Sequence, residues 1–340
     1  SRQSFAYDPM GNLLKHTDEL GHETVYTYDA AGDLLTAKDP LDHTTAYSYN
    51  RNRQVAAITY PDGGTVSYTY NSLGLTASQT NQRGYTTTLL YDELGRISEV
   101  TDAEGIVTAY TYDGVGNLLT TAINGTVTES NTYDALDRLV FSTNGLGHVA
   151  SCTYDKVGNL TVYKDREGNT TRYRYDRNDT LTEITDAEGG VTATAHDALG
   201  RVVSETDANG SVTAYTYDAN GNLLAVVDAM GGTVSNTYDH RNRVVSTADQ
   251  LGTVTVYSYD TAGNLLTATD ATGHVTKRAY DANNNLIQST NRENEWAKYA
   301  YDACDRLVQE TNQLNHATKI RYDLCGNITA TVDGNGSETV

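Results

Sequence analysis

The side chains best equipped for chemistry in this sequence are carboxylates. Of 44 acidic residues, fourteen directly follow an aromatic residue that returns every 21 positions, and ten more stand eleven positions after it. Paired carboxylates can act as general acid and base or hold a cation, but only where burial or a partner sets one apart from its equals. Here every Asp has many equivalents, and no sequence feature distinguishes one. The histidines read the same way: His22, His43, His148, His274 and His316 take the same place in their repeats, and only His22 and His43 lie in adjacent ones. A metal centre needs several donors about 2 Å from one ion, so no metal site is expected and these residues read as solvated turn edges. No nucleophile motif, phosphate-cradling loop or zinc spacing occurs. The chain therefore does not read as an enzyme, and no catalytic residue or cofactor is expected.

A net charge of −20 is the wrong sign for phosphate, which excludes nucleic acid as an expected partner. No apolar run approaches the roughly 18 residues of a membrane span, so the chain is expected to be soluble, without membrane insertion. Three cysteines do not make a disulfide framework. Cys304 and Cys325 hold equivalent places two strands apart, roughly 10 Å, whereas a disulfide needs Cα atoms within about 7 Å; both are expected to be free thiols. Among 340 residues there are 26 Tyr but only 2 Phe and 1 Trp, a composition suited to half-wet pleated surfaces rather than a thick apolar core.

The repeat explains where the carboxylates stand. Tyr7, Tyr28, Tyr49, Tyr70, Tyr91, Tyr112, Tyr133, Tyr154, Tyr175, Tyr217, Tyr238, Tyr259, Tyr280, Tyr301 and Tyr322 form one series, with His196 as an aromatic substitute in the single gap. This is one array of 16 units over residues 1–340, read as a piece of a longer protein. Four positions after the anchor stands Gly in ten units and Asn or Asp in five, leaving Arg53; fourteen positions after it stands Gly, Asn or Asp in fifteen. Each unit thus carries two Asp-x-x-Gly turns, with Asp accepting from its own backbone and the last residue free to go left-handed. Pro9, Pro40 and Pro61 fall second in their turns, where Pro is favoured. Between turns lie alternating segments of about six residues, rich in Leu, Val, Thr and Tyr, which read as strands.

Two strands per odd period keep one face consistent only if one loop is even and the other odd. Asn124-Gly125, a two-residue hairpin signal at the place of a second turn, points to an even second turn. That would set the residue six after the anchor opposite the residue nineteen after it, with an odd first turn built on a Gly bulge. The anchor, the aliphatic residue six later and the residue nineteen later (Tyr217, Leu223 and Asn236) then share one face. The expected fold is all-β: tandem 21-residue β-hairpin repeats forming one long, coiled antiparallel sheet, a spiral or a segment of a hollow shell, because an open sheet rarely exceeds about 10 strands without curling.

The pattern YDxxGNLLxxxDxxGxxTxYxYD resembles the rearrangement-hotspot, or YD-repeat, family, which includes bacterial polymorphic toxins, the cocoon component of insecticidal toxin complexes and the animal teneurins. The resemblance covers essentially the whole chain. It implies a non-catalytic shell that encloses or presents a C-terminal effector or toxin, with the rest of the shell and that toxin as partners, in a secreted or cell-surface and bacterial setting. The self-cleaving module of such shells and its DPxGL-like motif have no counterpart; Asp8-Pro9-Met10-Gly11-Asn12 and Asp39-Pro40-Leu41-Asp42 are ordinary repeat turns. The alternative is a carbohydrate-binding or cell-surface adhesion module, since rows of Tyr beside Asn and Asp can stack on sugars. The strand edges left at either end of the array are an expected source of self-association.

The turn assignment yields an expected order of damage. Gly221→Val, which forces a β-branched residue into a left-handed conformation at a cost of about 1–3 kcal/mol, lowers the melting temperature more than Asp218→Ala; equal losses in thermal melts contradict the assignment.

Overall fold

The protein is described by a computed structural model covering residues 3–340. Those residues form 33 strands and no helix, assigned to one antiparallel sheet in which strands follow one another in chain order. The segments that alternate β-branched and aromatic residues are the strands, such as Thr213-containing Val212–Tyr217, Leu223–Val227 and Thr233–Tyr238. Two units are distinguished. One contains the chain through Thr88 together with Val254–Val340, and the other is Leu89–Thr253.

Both turns of a repeat are built alike. In the first, Asp218 N donates to Asn222 O at 2.9 Å and Gly221 N to Asp218 O at 3.2 Å, while Asp218 Oδ1 accepts from the backbone N of Asn220 and Asn222. In the second, Asp228 makes the same set with Met230, Gly231 and Gly232. Gly221 and Gly231 have φ of +90° and +85°, the left-handed region that glycine enters without strain.

This corrects the expected parity, because the second turn is odd. Val227 pairs with Thr233 across five residues, as Tyr217 pairs with Leu223 across the first turn. Leu223 accordingly sits opposite its own anchor and not opposite Asn236, although the three residues do share a face. The variant that suggested an even loop conceals a compensation. Ile123 pairs with Thr126 around Asn124-Gly125, but the register then shifts so that Ala122 faces Val127 and Thr121 faces Glu129. Thr128 is the extra residue of a bulge, which restores the register of the other repeats.

The parity of the ordinary repeat is likewise set by a bulge. Thr216 pairs with Ala225 and Tyr217 with Leu223, so Leu224 is extra. The same shift, seven residues after the anchor, recurs along the array, for example at Leu14, Leu35, Val203 and Ile287. It has a polar consequence. The ladder to the following strand ends at Ala225 and Ser235, which leaves the Leu223 carbonyl beyond the last paired residue. The hydroxyl of Tyr238, the next anchor, donates to that carbonyl at 2.8 Å. At least twelve repeats make this bond, at 2.7–3.1 Å. Phe cannot make it, which accounts for a chain so rich in Tyr and so poor in Phe. Where His196 replaces the anchor, the Thr194 hydroxyl donates to the Leu181 carbonyl instead, and His196 Nδ1 is buried without a partner.

Six first turns lack Gly at the left-handed position: Arg53, Asp137, Asp179, Asn242, Asn284 and Asp305 all have positive φ. Each is held from the preceding repeat by the residue five after its anchor. Asn117 bonds Asp137, Asn159 bonds Asp179, Asn222 bonds Asn242, Asn264 bonds Asn284, Asn285 bonds Asp305, and Asp33 takes two bonds from Arg53. Where Arg stands at that earlier position it staples differently. Arg201 donates to Asp197 Oδ2 at 2.8 Å and to the Asp218 carbonyl at 3.1 Å, with its guanidinium 4.7 Å from the ring centre of Tyr217.

Among the described residues the only buried apolar side chains are Ala150 and Ala330, so stability comes from half-buried aromatic and aliphatic pairs and from polar bonds between neighbours. All three cysteines are free, as expected for Cys304 and Cys325. Tyr238→Phe therefore destabilises the protein by about 1 kcal/mol through loss of one bond to an otherwise unmatched carbonyl. Tyr257→Phe, whose hydroxyl has no partner among the described residues, is close to neutral. Denaturant melts of the two variants check this, and equal effects contradict the assigned role of the anchor hydroxyl.

Candidate functional site

Within the first unit, the early repeats meet the late ones. Asn283 Nδ2 donates to Asp39 Oδ2 at 2.7 Å, Arg306 lies 3.2 Å from Asp62, and Arg83 lies 3.4 Å from Asp323. Repeats anchored at Tyr28, Tyr49 and Tyr70 thus contact those anchored at Tyr280, Tyr301 and Tyr322, twelve repeats further on. In every pair the second-turn row of the earlier repeat touches the first-turn row of the later one. The hydrogen bond and the two ion pairs of this contact run between side chains.

A cavity of about 310 Å³ lies in this seam, lined by Asp39, His43, Tyr60, Pro61, Cys304 and Asp305. Candidate ligand atoms of Asp39, His43 and Asp305 lie within 4.8 Å of one another. His43 belongs to the turn that Asp39 starts, and its Nδ1 is 3.0 Å from Asp39 Oδ2. Sequence reasoning placed His43 as a solvated turn edge with no reason to associate it with Asp305. The three could hold a small cation. The Asn283 amide already bridges the two carboxylates, donating to Asp305 at 3.0 and 3.1 Å as well as to Asp39. Burial raises the Asp39 pKa, but the bonds from Asn283 and from the turn backbone, with His43 beside it, outweigh burial and hold the carboxyl below its ordinary range. Burial pushes the Cys304 thiol up, which makes it a poor nucleophile.

The second unit carries a separate hollow. The position two before the anchor is commonly Tyr, but it is Asn131 and Cys152 in consecutive repeats, and the positions facing them are Ser142 and Tyr163. The small side chains of Ser142, Ala150 and Cys152, with Tyr163 in the wall, line a cavity of about 450 Å³ on the anchor face. Arg166 reaches into it from a second turn, 3.1 Å from Glu129 Oε1 and 2.9 Å from Ser142 Oγ, while Ser142 donates to Glu129 at 2.6 Å. Arg166 Nε and Asn131 Oδ1 are buried without hydrogen-bond partners. Of the two, Arg166 belongs to the cavity wall, so the hollow has one unmatched donor. It contains no nucleophile–base pair, and sequence reasoning did not single out any of its residues, since Glu129 and Arg166 lie 37 positions apart.

Fold and turn chemistry define a tandem hairpin-repeat array. The RHS Repeat family matches residues 7–42, 28–65, 70–105, 91–127, 154–191, 196–233, 238–275 and 280–313, and the chain belongs to that family. Similar solved structures include that of TcdB2-TccC3-TEV, with a TM-score of 0.77 at 16% identity over 98% of this chain and 23% of that one. TcdB2-TccC3 gives 0.63 at 16% identity over 97% and 22%, and the pore of a Photorhabdus luminescens Tc holotoxin gives 0.57 at 14% over 97% and 22%. The chain spans less than a quarter of each. No curated protein sequence matches it.

The turn carboxylates give a signed pH dependence. The Asn222 side chain and backbone bonds hold Asp218 below its ordinary range, the Arg201 side chain does the same for Asp197, and backbone bonding from Arg243 followed by its side chain takes Asp239 to about 2. Folded values below the unfolded value give a stabilisation that is complete above it and lost as pH falls through the folded values. The melting temperature is therefore expected to hold near neutrality and to drop between about pH 4 and pH 2. A melting temperature unchanged across that window contradicts the role of the turn carboxylates.

Proposed function

We propose that the chain is a non-catalytic wall segment of a YD-repeat shell that encloses or presents a C-terminal effector or toxin in an exported, bacterial setting. Its partners are the remaining shell and that cargo. The observation that carries this reading is the contact between repeats twelve units apart in a chain of the RHS repeat family, because a sheet that meets itself can separate an interior from solvent. No redox, hydrolytic or group-transfer chemistry is assigned to the array; its work is to isolate and hold. Half-buried Tyr rows suit that work, since they offer a wet, non-committal surface to an unfolded or loosely packed polypeptide.

The hollow at Arg166 favours a second reading, in which the anchor face binds carbohydrate. Arg166, Glu129 and Ser142 beside the Tyr163 ring offer hydrogen bonds and a stacking face. Two assays separate the readings. A protease-sensitive reporter fused after Val340 is expected to be cut more slowly than the free reporter, and to lose that protection when Arg83 and Arg306 are both changed to Glu. Equal cutting in all cases contradicts enclosure. Binding on a glycan array that disappears with Arg166→Ala supports the second reading, and silence across the array removes it.

A further inference from the structure

The contacts across the seam of the first unit differ in charge. Arg306 meets Asp62 and Arg83 meets Asp323, a cation against an anion each time. At Asn283 the seam instead sets one carboxylate against another, Asp39 from the early repeats and Asp305 from the late ones. No Lys or Arg among the described residues forms an ion pair with either of them; the one basic partner is His43, on Asp39. Two carboxylates held at one place favour a positive charge between them.

The geometry is that of a small-cation site. Ligand atoms of Asp39, His43 and Asp305 lie within 4.8 Å of one another, on the wall of a cavity of about 310 Å³. His43 Nδ1 and Asp39 Oδ2 are 3.0 Å apart, the separation of two neighbouring ligands on one ion, which is about 3.0–3.4 Å for bonds of about 2.1 Å. Three carboxylate oxygens also converge on Asn283 Nδ2, at 2.7, 3.0 and 3.1 Å, although an amide has only two hydrogens to give them. The other end of that amide, Asn283 Oδ1, is buried without a hydrogen-bond partner. Turning the amide over puts this oxygen among the carboxylates, where it is a fourth ligand, and gives up no bond on the side it leaves.

We propose that Asp39, His43 and Asp305 bind one divalent zinc ion across the seam, with Asn283 Oδ1 and water completing its shell. The imidazole nitrogen selects zinc over calcium and magnesium, which take oxygen ligands. The exposed Asp305 leaves the site open to solvent, so the ion enters without unfolding the seam. His22 shows that the local half of the site is not enough: its Nδ1 stands 3.1 Å from Asp18 Oδ2, as His43 stands to Asp39, but no second carboxylate joins that pair. Because the ligands come from repeats twelve units apart, the ion acts as a staple, and its binding free energy adds to the stability of the closed seam.

The test is calorimetric titration of the intact, chelator-treated protein with zinc chloride, in about 0.15 M salt with excess magnesium to suppress loose binding to surface carboxylates. Three variants accompany the parent: His43→Ser, Asp305→Asn and, as the control, His22→Ser. Each introduces a residue the protein already uses at the same place in other repeats, Ser211 and Ser337 for the histidines, Asn242 and Asn284 for Asp305, and circular dichroism of the metal-free variants confirms that they fold. The parent is expected to bind one zinc ion per chain and to melt at a higher temperature with it. His43→Ser and Asp305→Asn are each expected to weaken binding by about tenfold or more, with His22→Ser unchanged. A parent that takes up no zinc at about 1 mM overturns the proposal. So does binding unaffected by Asp305→Asn, which would reduce the site to a His–Asp pair on one turn, and so does an equal loss in His22→Ser.

Discussion

One recurring side-chain hydrogen bond, found in at least twelve repeats, distinguishes this array: the hydroxyl of an anchor tyrosine donates to a carbonyl in the preceding hairpin. The need for it arises from the bulge seven residues after each anchor. An extra residue in one strand lets the hairpin keep a consistent face with an odd period, but it takes the neighbouring carbonyl, that of Leu223 in the repeat anchored at Tyr217, out of the ladder. A part-buried carbonyl left without a donor is destabilising, and the next anchor supplies the donor from a fixed distance of fifteen residues. Bulge, tyrosine and period are thus one constraint, and none can change alone without leaving either a stranded carbonyl or an inverted face. Because the bond always crosses from one repeat to the next, stability lies at the interfaces between units, as in other repeat arrays.

The turns extend the same logic. Asp at the head of each turn accepts from two backbone donors, and its second oxygen takes the side chain of the residue four later, Asn222 or Arg201 for example. That side chain then reaches forward into the next repeat. The large negative charge is therefore mostly a set of local acceptors for turns, and the few cations are placed where they staple neighbours. More than half of the carboxylates, fourteen after an anchor and ten at the second-turn head out of 44, thus share one structural task.

Much of the local architecture was legible because it repeats. Spacing alone located the anchors, both turns, the strands and the shared face of Tyr217, Leu223 and Asn236. The loop parity was not legible, because a bulge is a count of paired residues and not a residue type; Thr128 and Leu224 look like any other strand position, and the one atypical turn, Asn124-Gly125, carries a bulge that cancels its own signal. The candidate sites were hidden for a different reason. Asp39, His43 and Asp305 meet across twelve repeats, a separation that no residue type or spacing announces. The hollow at Glu129 and Arg166 depends on Tyr being absent from two successive repeats, which reads in sequence as mere variation.

The bulge bends its strand and increases local twist, and within the first unit the early repeats meet those twelve repeats further on. That return is the central claim, and a cross-link tests it most directly. Cys304 lies beside Asp62 in the seam, so Asp62→Cys, in a protein whose Cys152 and Cys325 are changed to Ser, places a second thiol against it. Mild oxidation of the monomer is expected to produce an intramolecular disulfide, identified as a single peptide joining residues 62 and 304. Two thiols that stay free in the folded monomer, both open to alkylation, would contradict a chain that meets itself after twelve repeats.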